Sequence, residues 1–176
     1  MSDLVVVIFE EKHRASKIFY QMQHESGNDF SNLRNAIVYI PCESPGAIIE
    51  QSINLNNPES LGWSKFWSSF LAVTMLTPFY YNSTNFVEEF GNYSEYQKFR
   101  SSDGELSNRW WKEEIGISLN LIRDLKALLQ PNSSAILMII DNLHESFLES
   151  EDFSTSYVYR LPLDEKKFAN IHRYFL

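Results

Sequence analysis

The chain has 176 residues, 44% of them hydrophobic and 15% aromatic, so it can form one domain with a sizeable core and is too apolar to be disordered. Its 23 acidic residues outnumber its 15 basic ones, and the net charge of −8, with no basic cluster to offset it, disfavours binding to nucleic acid. The single cysteine, Cys42, excludes an internal disulfide framework and a zinc site built from several thiolates.

The first third of the chain predicts a strand, a helix and two further strands. Residues 4–9 are continuously apolar, which is typical of a strand buried on both faces. Apolar residues at helical spacing in 15–22 predict a helix, which the turn residues 27–29 end. Strands are predicted at 36–40 and at about 48–55, and the second of these alternates, so one of its faces should meet water.

Residues 58–113 interrupt this pattern. Residues 66–81 are dense in apolar and aromatic side chains, whereas the stretch that follows is polar and aromatic with turn signals. We interpret 58–113 as an inserted helical or irregular element, because a separate unit of that size would be only marginally stable.

Regular patterns return in the last third. A helical stripe spans 117–129, a fully apolar strand spans 135–140, and an alternating strand is predicted near 157–161. Two helix starts are also predicted. Asn142 with Glu145 resembles a capping box, and Asp164 precedes a last helix whose apolar stripe consists of Phe168, Ile171 and Phe175.

The strands at 4–9 and 135–140 each lead through acidic residues into a helix and then into another strand. Two such units in one sheet form the split βαβ arrangement called ferredoxin-like. We therefore predict a single α+β domain over 1–176. It has a mainly antiparallel sheet of about five strands, helices on one face, and the aromatic-rich insertion at 58–113.

Four blocks, taken in order, resemble a known family. They are MSDLVVVIF, the strand pair NAIVYIP and GAIIEQSINL, the segment GWSKFWSSFLAVTMLTPF, and GISLNLIRDLKALLQPNSSAILMII. Together they are similar to a bacterial family of domains of unknown function, number twelve sixty-nine, whose members are often described as predicted membrane proteins. The resemblance implies a self-contained module and brings no activity, cofactor or catalytic residue. Lys65, Ser68 and Ser69 replace glycines of the family pattern, which argues against a spanning helix here.

No motif for catalysis or cofactor binding is present. The glycines are too widely spaced for a phosphate-binding loop, and the second histidine of a zinc-protease motif begun at His144 is replaced by Leu148. For the four histidines, the simpler interpretation is a surface or capping role; they are His13, His24, His144 and His172. For the four carboxylates it is a solvated acidic face; they are Glu145, Glu149, Glu151 and Asp152. Cys42 is predicted to be a small buried thiol. We therefore predict no enzyme, no metal and no cofactor.

The tryptophans give the sharpest prediction. Each buries about 150–250 Å² when covered, and several exposed together would form a larger apolar patch than monomers tolerate. Core packing accounts for some of them, and tryptophan is enriched at subunit interfaces. The residues predicted for self-association are Trp63, Phe66, Trp67, Phe70, Leu71, Trp110 and Trp111.

The sequence thus favours a non-enzymatic assembly or protein-interaction module that forms homo-oligomers or binds a protein partner through the insertion. One alternative is peripheral membrane attachment through residues 63–81, which are too short and too polar to favour a spanning helix. Another is a small-ligand or enzymatic pocket between sheet and insertion, with His13 or His144 as candidate lining residues. The start of the chain lacks the basic region of a secretory signal, so a cytoplasmic location is expected, with membrane association as the alternative.

Overall fold

The computed structural model describes residues 1–24, 32–43, 47–51, 58–74, 80–81, 110–150, 152–154 and 156–176. The strands are β1 (Ser2–Phe9), β2 (Leu33–Pro41), β3 (Ala47–Gln51), β4 (Tyr80–Tyr81), β5 (Ser134–Asp141) and β6 (Tyr157–Leu163). The helices are α1 (Arg14–His24), α2 (Pro58–Thr74), α3 (Leu119–Leu128), α4 (Glu145–Leu148) and α5 (Glu165–Phe175), with a π-helical turn at Trp111–Ile115.

The strands form one sheet in the order β4-β3-β2-β5-β1-β6. β1 runs antiparallel to both β5 and β6, and β2 runs antiparallel to both β3 and β5. The two-residue strand β4 adds a short parallel pairing with β3. β1 and β2 therefore point the same way with β5 between them, and β5 and β6 point the same way with β1 between them. The predicted α+β class and the five-strand antiparallel sheet are confirmed.

Helices cover both faces of the sheet, so the prediction that they share one face is wrong. α1 packs with Val5, Val7 and Phe9 on one face. α2, α3 and α5 pack on the other face, over Leu4, Val6 and Ile8. The physical reason lies in the apolar runs of β1 and β5. Every residue from Leu4 to Phe9 is at most 2% exposed, and a strand that is apolar on both sides needs a helical layer on each.

The first turns of α5 and α1 are capped in different ways, one by a residue of the same segment and the other by a residue of a distant strand. The predicted cap at Asp164 is confirmed, since its side chain accepts a hydrogen bond from Lys167 N at 2.8 Å. α1 is capped from outside its own segment, because Ser134 Oγ on β5 accepts from Ala15 N at 3.2 Å and donates to Glu11 O at 2.6 Å. The buried stripe of α1 is the predicted one: Ala15, Ile18, Phe19 and Met22.

The capping box predicted at Asn142 and Glu145 is wrong. Asn142 adopts a left-handed conformation with φ of 46°, and α4 begins after His144 without any side-chain cap. The Asn142 N–H instead donates to Met1 O at 2.8 Å and continues the β1–β5 ladder. The turn predicted at 27–29, the second half of the strand predicted at 48–55 and most of the insertion beyond α2 lie outside the described residues.

Candidate functional site

The aromatic residues predicted for self-association lie almost entirely inside the chain. The exposed fraction is at most 2% for six of them, which are Trp63, Phe66, Trp67, Phe70, Leu71 and Trp111. Trp110 is half-buried. These side chains belong to the core between α2, the π-helical turn and the sheet. Self-association through this segment stays a prediction, but the six buried side chains present no surface for it.

Phe66 of α2 is the centre of this aromatic cluster. Its ring centroid lies 5.4 Å from that of Trp63 and 4.9 Å from that of Trp67, both in edge-to-face arrangements. Trp111 at 5.1 Å and Phe175 of α5 at 5.5 Å close the other sides. Edge-to-face pairs at such distances stabilise a core beyond the area they bury, so the cluster joins the insertion firmly to α5.

Polar partners inside the fold hold two of the indole rings, those of Trp67 and Trp111. Trp67 Nε1 donates to Asn35 Oδ1 at 2.7 Å, and Trp111 Nε1 donates to Ser69 Oγ at 3.1 Å. The π-helical turn that carries Trp111 ends at Gly116, whose φ of 89° favours glycine. A buried indole N–H needs an acceptor, and these two hydrogen bonds supply one to Trp67 and one to Trp111, so both residues suit an interior position.

The titratable candidates are dispersed. Within the described ranges, no group of three or more His, Cys, Asp or Glu side chains could hold a metal ion. His24 stacks on Tyr20 at 4.0 Å between ring centroids, and its Nδ1 lies 2.9 Å from Tyr20 O. Cys42 is half-buried just beyond β2, so it is less covered than predicted.

An open cleft of about 640 Å³ lies where the start of β1 meets α5. Its lining residues are Met1, Ser2, Leu163, Asp164, Glu165, Phe168, Ala169, His172 and Arg173. Asp164 and Glu165 give this cleft carboxylates at the start of α5, and His172 and Arg173 give it basic side chains two turns later. Neither His13 nor His144, the candidates named for a pocket, lines it.

A polar network lies beside this cleft at the end of β5. Asp141 accepts from Ser2 Oγ at 2.5 Å and pairs with Arg34 Nε at 2.6 Å. The guanidinium of Arg34 also lies 4.7 Å above the ring of Phe168. Burial raises the pKa of Asp141, but the hydrogen bonds from Arg34 and Ser2, together with the positive charges of Arg34 and of the N-terminus, outweigh it and hold that pKa below its ordinary value of 3.8. The network therefore serves to join β1, β2 and β5.

β6 is the outermost strand on one side of the described sheet. The sequence predicted this strand but not its position at the edge. Tyr157 and Val158 at its beginning are 47% and 37% exposed. Tyr159 is half-buried, and burial raises the pKa of its hydroxyl, with smaller contributions from Asp124 and Tyr157. The only signal in the sequence was Pro162, since proline inside a strand pattern indicates an edge.

Arg160 of β6 is held by Asp3 of β1. Its Nε donates to Asp3 Oδ1 at 2.7 Å and its Nη2 donates to Oδ2 at 3.0 Å. This hydrogen bonding raises the pKa of Arg160. Asp3 is 2% exposed, so the guanidinium compensates a carboxylate that is withdrawn from water.

No protein-family model matches the chain, and neither a curated protein nor a solved structure is similar to it. The resemblance to the bacterial family of unknown function stays a prediction. None of the helices in the described parts of the chain combines the length and apolar character needed to cross a membrane.

Proposed function

We propose that this protein is a non-enzymatic assembly module that associates with further copies of itself. The observation that carries the proposal is β6, the outer strand of the sheet as far as the described residues form it, where Tyr157 and Val158 expose 47% and 37% of their surface. An outer strand has backbone groups available for pairing, and exposed apolar side chains beside them favour contact with another protein.

The proposal moves the contact surface from the aromatic insertion to β6. The reason is that Trp63, Phe66, Trp67 and their neighbours are used within their own chain. The same burial disfavours peripheral membrane attachment through 63–81, since the described aromatic side chains of that segment could reach lipid only if the core opened. Flotation with neutral and with anionic liposomes tests this alternative, and we expect the protein to stay unbound in both.

We infer that β6-β1-β5-β2 is a ferredoxin-like sheet, with β1-α1-β2 and β5-α4-β6 as its two split βαβ units. β3 and β4 would then extend this sheet at the β2 side and leave β6 as the opposite edge.

A second candidate function is binding of a small ligand, and the cleft of about 640 Å³ beside α5 favours it. Its volume lies in the range of small-molecule sites. Phe168 and Leu163 give it an apolar floor, and His172 and Arg173 give it a basic end. Thermal-shift screening with small carboxylates would detect such a ligand, and loss of the shift in Arg173→Ala would assign it to the cleft.

The assembly function is tested by the mass of the intact chain in solution. Light scattering coupled to gel filtration, and sedimentation velocity over a wide concentration range, should show a mass that rises with concentration. A chain that remains a strict monomer at high micromolar concentration contradicts the proposal.

A further inference from the structure

We propose that two copies of this chain pair antiparallel through β6, with Tyr159 on the two-fold axis, so that their sheets become continuous. This inference rests on the proposed self-association and names its partner, which is a second copy, and its register.

Successive residues of a strand point their N–H and C=O groups to opposite sides, and this alternation shows which backbone groups of β6 face outward. Asn142 N donates to Met1 O at 2.8 Å, so the odd-numbered residues of β1 exchange hydrogen bonds with β5. The even-numbered residues of β1 therefore bond to β6, and their partners there are Tyr157, Tyr159, Leu161 and Leu163. The N–H and C=O groups of Val158 and Arg160 consequently point away from β1, as does the ring nitrogen of Pro162.

Both ends of this outward-facing segment are closed by other contacts. Pro162 has no N–H, and its carbonyl accepts Lys167 Nζ at 3.2 Å. At the other end, the Ser156 N–H donates to Phe153 O at 3.1 Å. Within the described residues, the stretch with outward groups for a new ladder therefore runs from Val158 to Arg160.

A register centred on Tyr159 fits these limits. It places Val158 of one copy opposite Arg160 of the second copy, which gives about four backbone hydrogen bonds. The next outward pair would be Ser156 with Pro162, and neither residue has an N–H to offer. A register centred on Val158 would instead set Arg160 opposite Ser156, whose N–H is occupied, and one centred on Arg160 would set two guanidinium groups opposite each other.

The side chains agree with this register. On the α5 face, Tyr157 lies opposite Leu161 of the second copy and Tyr159 lies opposite its own equivalent, and aromatic cross-strand pairs stabilise a sheet. On the α1 face, Val158 of one copy lies opposite Arg160 of the second copy. Charged residues usually protect an edge strand from pairing, but the Arg160 charge is already compensated by Asp3 at 2.7 Å.

The contact between the two β6 strands is small, so the affinity of the dimer should be low. Stable interfaces commonly bury about 800 Å² on each partner, and a short strand pairing buries less. We therefore expect a dimer that dissociates on dilution, not a permanent one.

Engineered cysteines test the register, in a Cys42→Ala background. Tyr159→Cys brings two equivalent residues together at a Cα separation of about 4.5 Å, inside the range of about 4.4–6.8 Å that disulfides need. The control is Tyr157→Cys, which is more exposed but lies roughly 13 Å from its equivalent across the two-fold axis. Mild oxidation of the full chain should give mostly covalent dimer with Tyr159→Cys and little with Tyr157→Cys.

A backbone test complements the cross-link. Val158→Pro removes an outward N–H and should abolish association while leaving the fold intact, because Pro162 occupies an equivalent position already. Val158→Thr keeps the N–H and the β-branched shape and should retain the dimer, with circular dichroism confirming that both variants fold.

The outcomes separate the two proposals. If the native chain is dimeric but Tyr157→Cys cross-links as well as Tyr159→Cys, or Val158→Pro stays dimeric, the β6 pairing is wrong and the assembly function stands. If the native chain is monomeric, both are overturned.

Discussion

Asp3 and Arg160 are 157 positions apart in the sequence, and in the fold they form a two-point ion pair between β1 and β6. One partner is buried and the other is 39% exposed, so the pair fixes the outer strand to the centre of the sheet without removing the guanidinium from water. The charge that would otherwise mark the edge is thereby neutralised by a residue of the neighbouring strand.

Arg160→Ala should destabilise the fold because it leaves the buried Asp3 carboxylate without its partner. We expect a loss of about 2 kcal/mol in the free energy of unfolding, less than for a fully buried pair because Arg160 remains partly exposed to solvent. Urea unfolding measures the change. The double variant Asp3→Ala with Arg160→Ala should be more stable than Arg160→Ala alone, and equal or lower stability would contradict this account of the pair.

Phe66→Ala should open a cavity at the centre of the aromatic cluster. A phenylalanine truncated in a packed core costs about 3–5 kcal/mol, and Phe66 is 0% exposed with aromatic neighbours on several sides. Thermal and urea unfolding measure the loss. The half-buried Trp110 is the matched control, and Trp110→Ala should cost clearly less. Equal stability of Phe66→Ala and the native chain would show that the cluster is not interior.

Gly62→Ala should separate α2 from α5. A Cβ at this position would collide with the carbonyl oxygen of Phe175 and lie 2.8 Å from Leu176 Cδ2, and a backbone atom cannot yield as a flexible side chain can. Overpacking of this kind costs about 1–3 kcal/mol in the free energy of unfolding. Lys65→Ala, on the exposed side of the same helix, should leave the stability unchanged. A neutral Gly62→Ala would mean that the two helices pack less closely than described.

The lowered pKa of Asp141 predicts a specific acid sensitivity. Because the folded pKa lies below the ordinary value of 3.8, the folded state holds the carboxylate ionised more strongly than the unfolded state does. The stabilisation is fully present above that value and is lost as the pH falls through the folded pKa. Urea unfolding at a series of acidic pH values should therefore show a shallower decline in Asp141→Asn than in the native chain. Ser2→Ala, which removes one of the donors, should be intermediate, and identical slopes in all three proteins would refute the assignment.

The sequence patterns located the central strands and most helices because those signals are local. The apolar runs in β1 and β5 and the cap at Asp164 are examples. Pro162 was the one sequence signal for the edge position of β6, because the pairing of β6 with β1 joins the two ends of the chain and leaves no local pattern. The helical layers were also mispredicted, although the unbroken apolar run of β1 already required cover on both faces.

The candidate site was the harder prediction. A core and a subunit interface both select tryptophan and phenylalanine, so the composition of 58–113 could not separate them. What separates them is geometry, in particular the bond from Trp67 Nε1 to Asn35 and the packing of Phe175 against Phe66. The exposed aromatic residue that matters at β6, Tyr157, lies in a segment with no unusual composition.

Hydrogen exchange of the Val158 and Arg160 amides tests the central claim, that copies meet along β6, most directly. Residue-resolved exchange by NMR on the native chain should show both amides protected at high protein concentration and progressively exposed on dilution, while amides of β1 and β5 stay protected throughout. Rapid exchange of both amides at concentrations where the mass is dimeric would contradict the account.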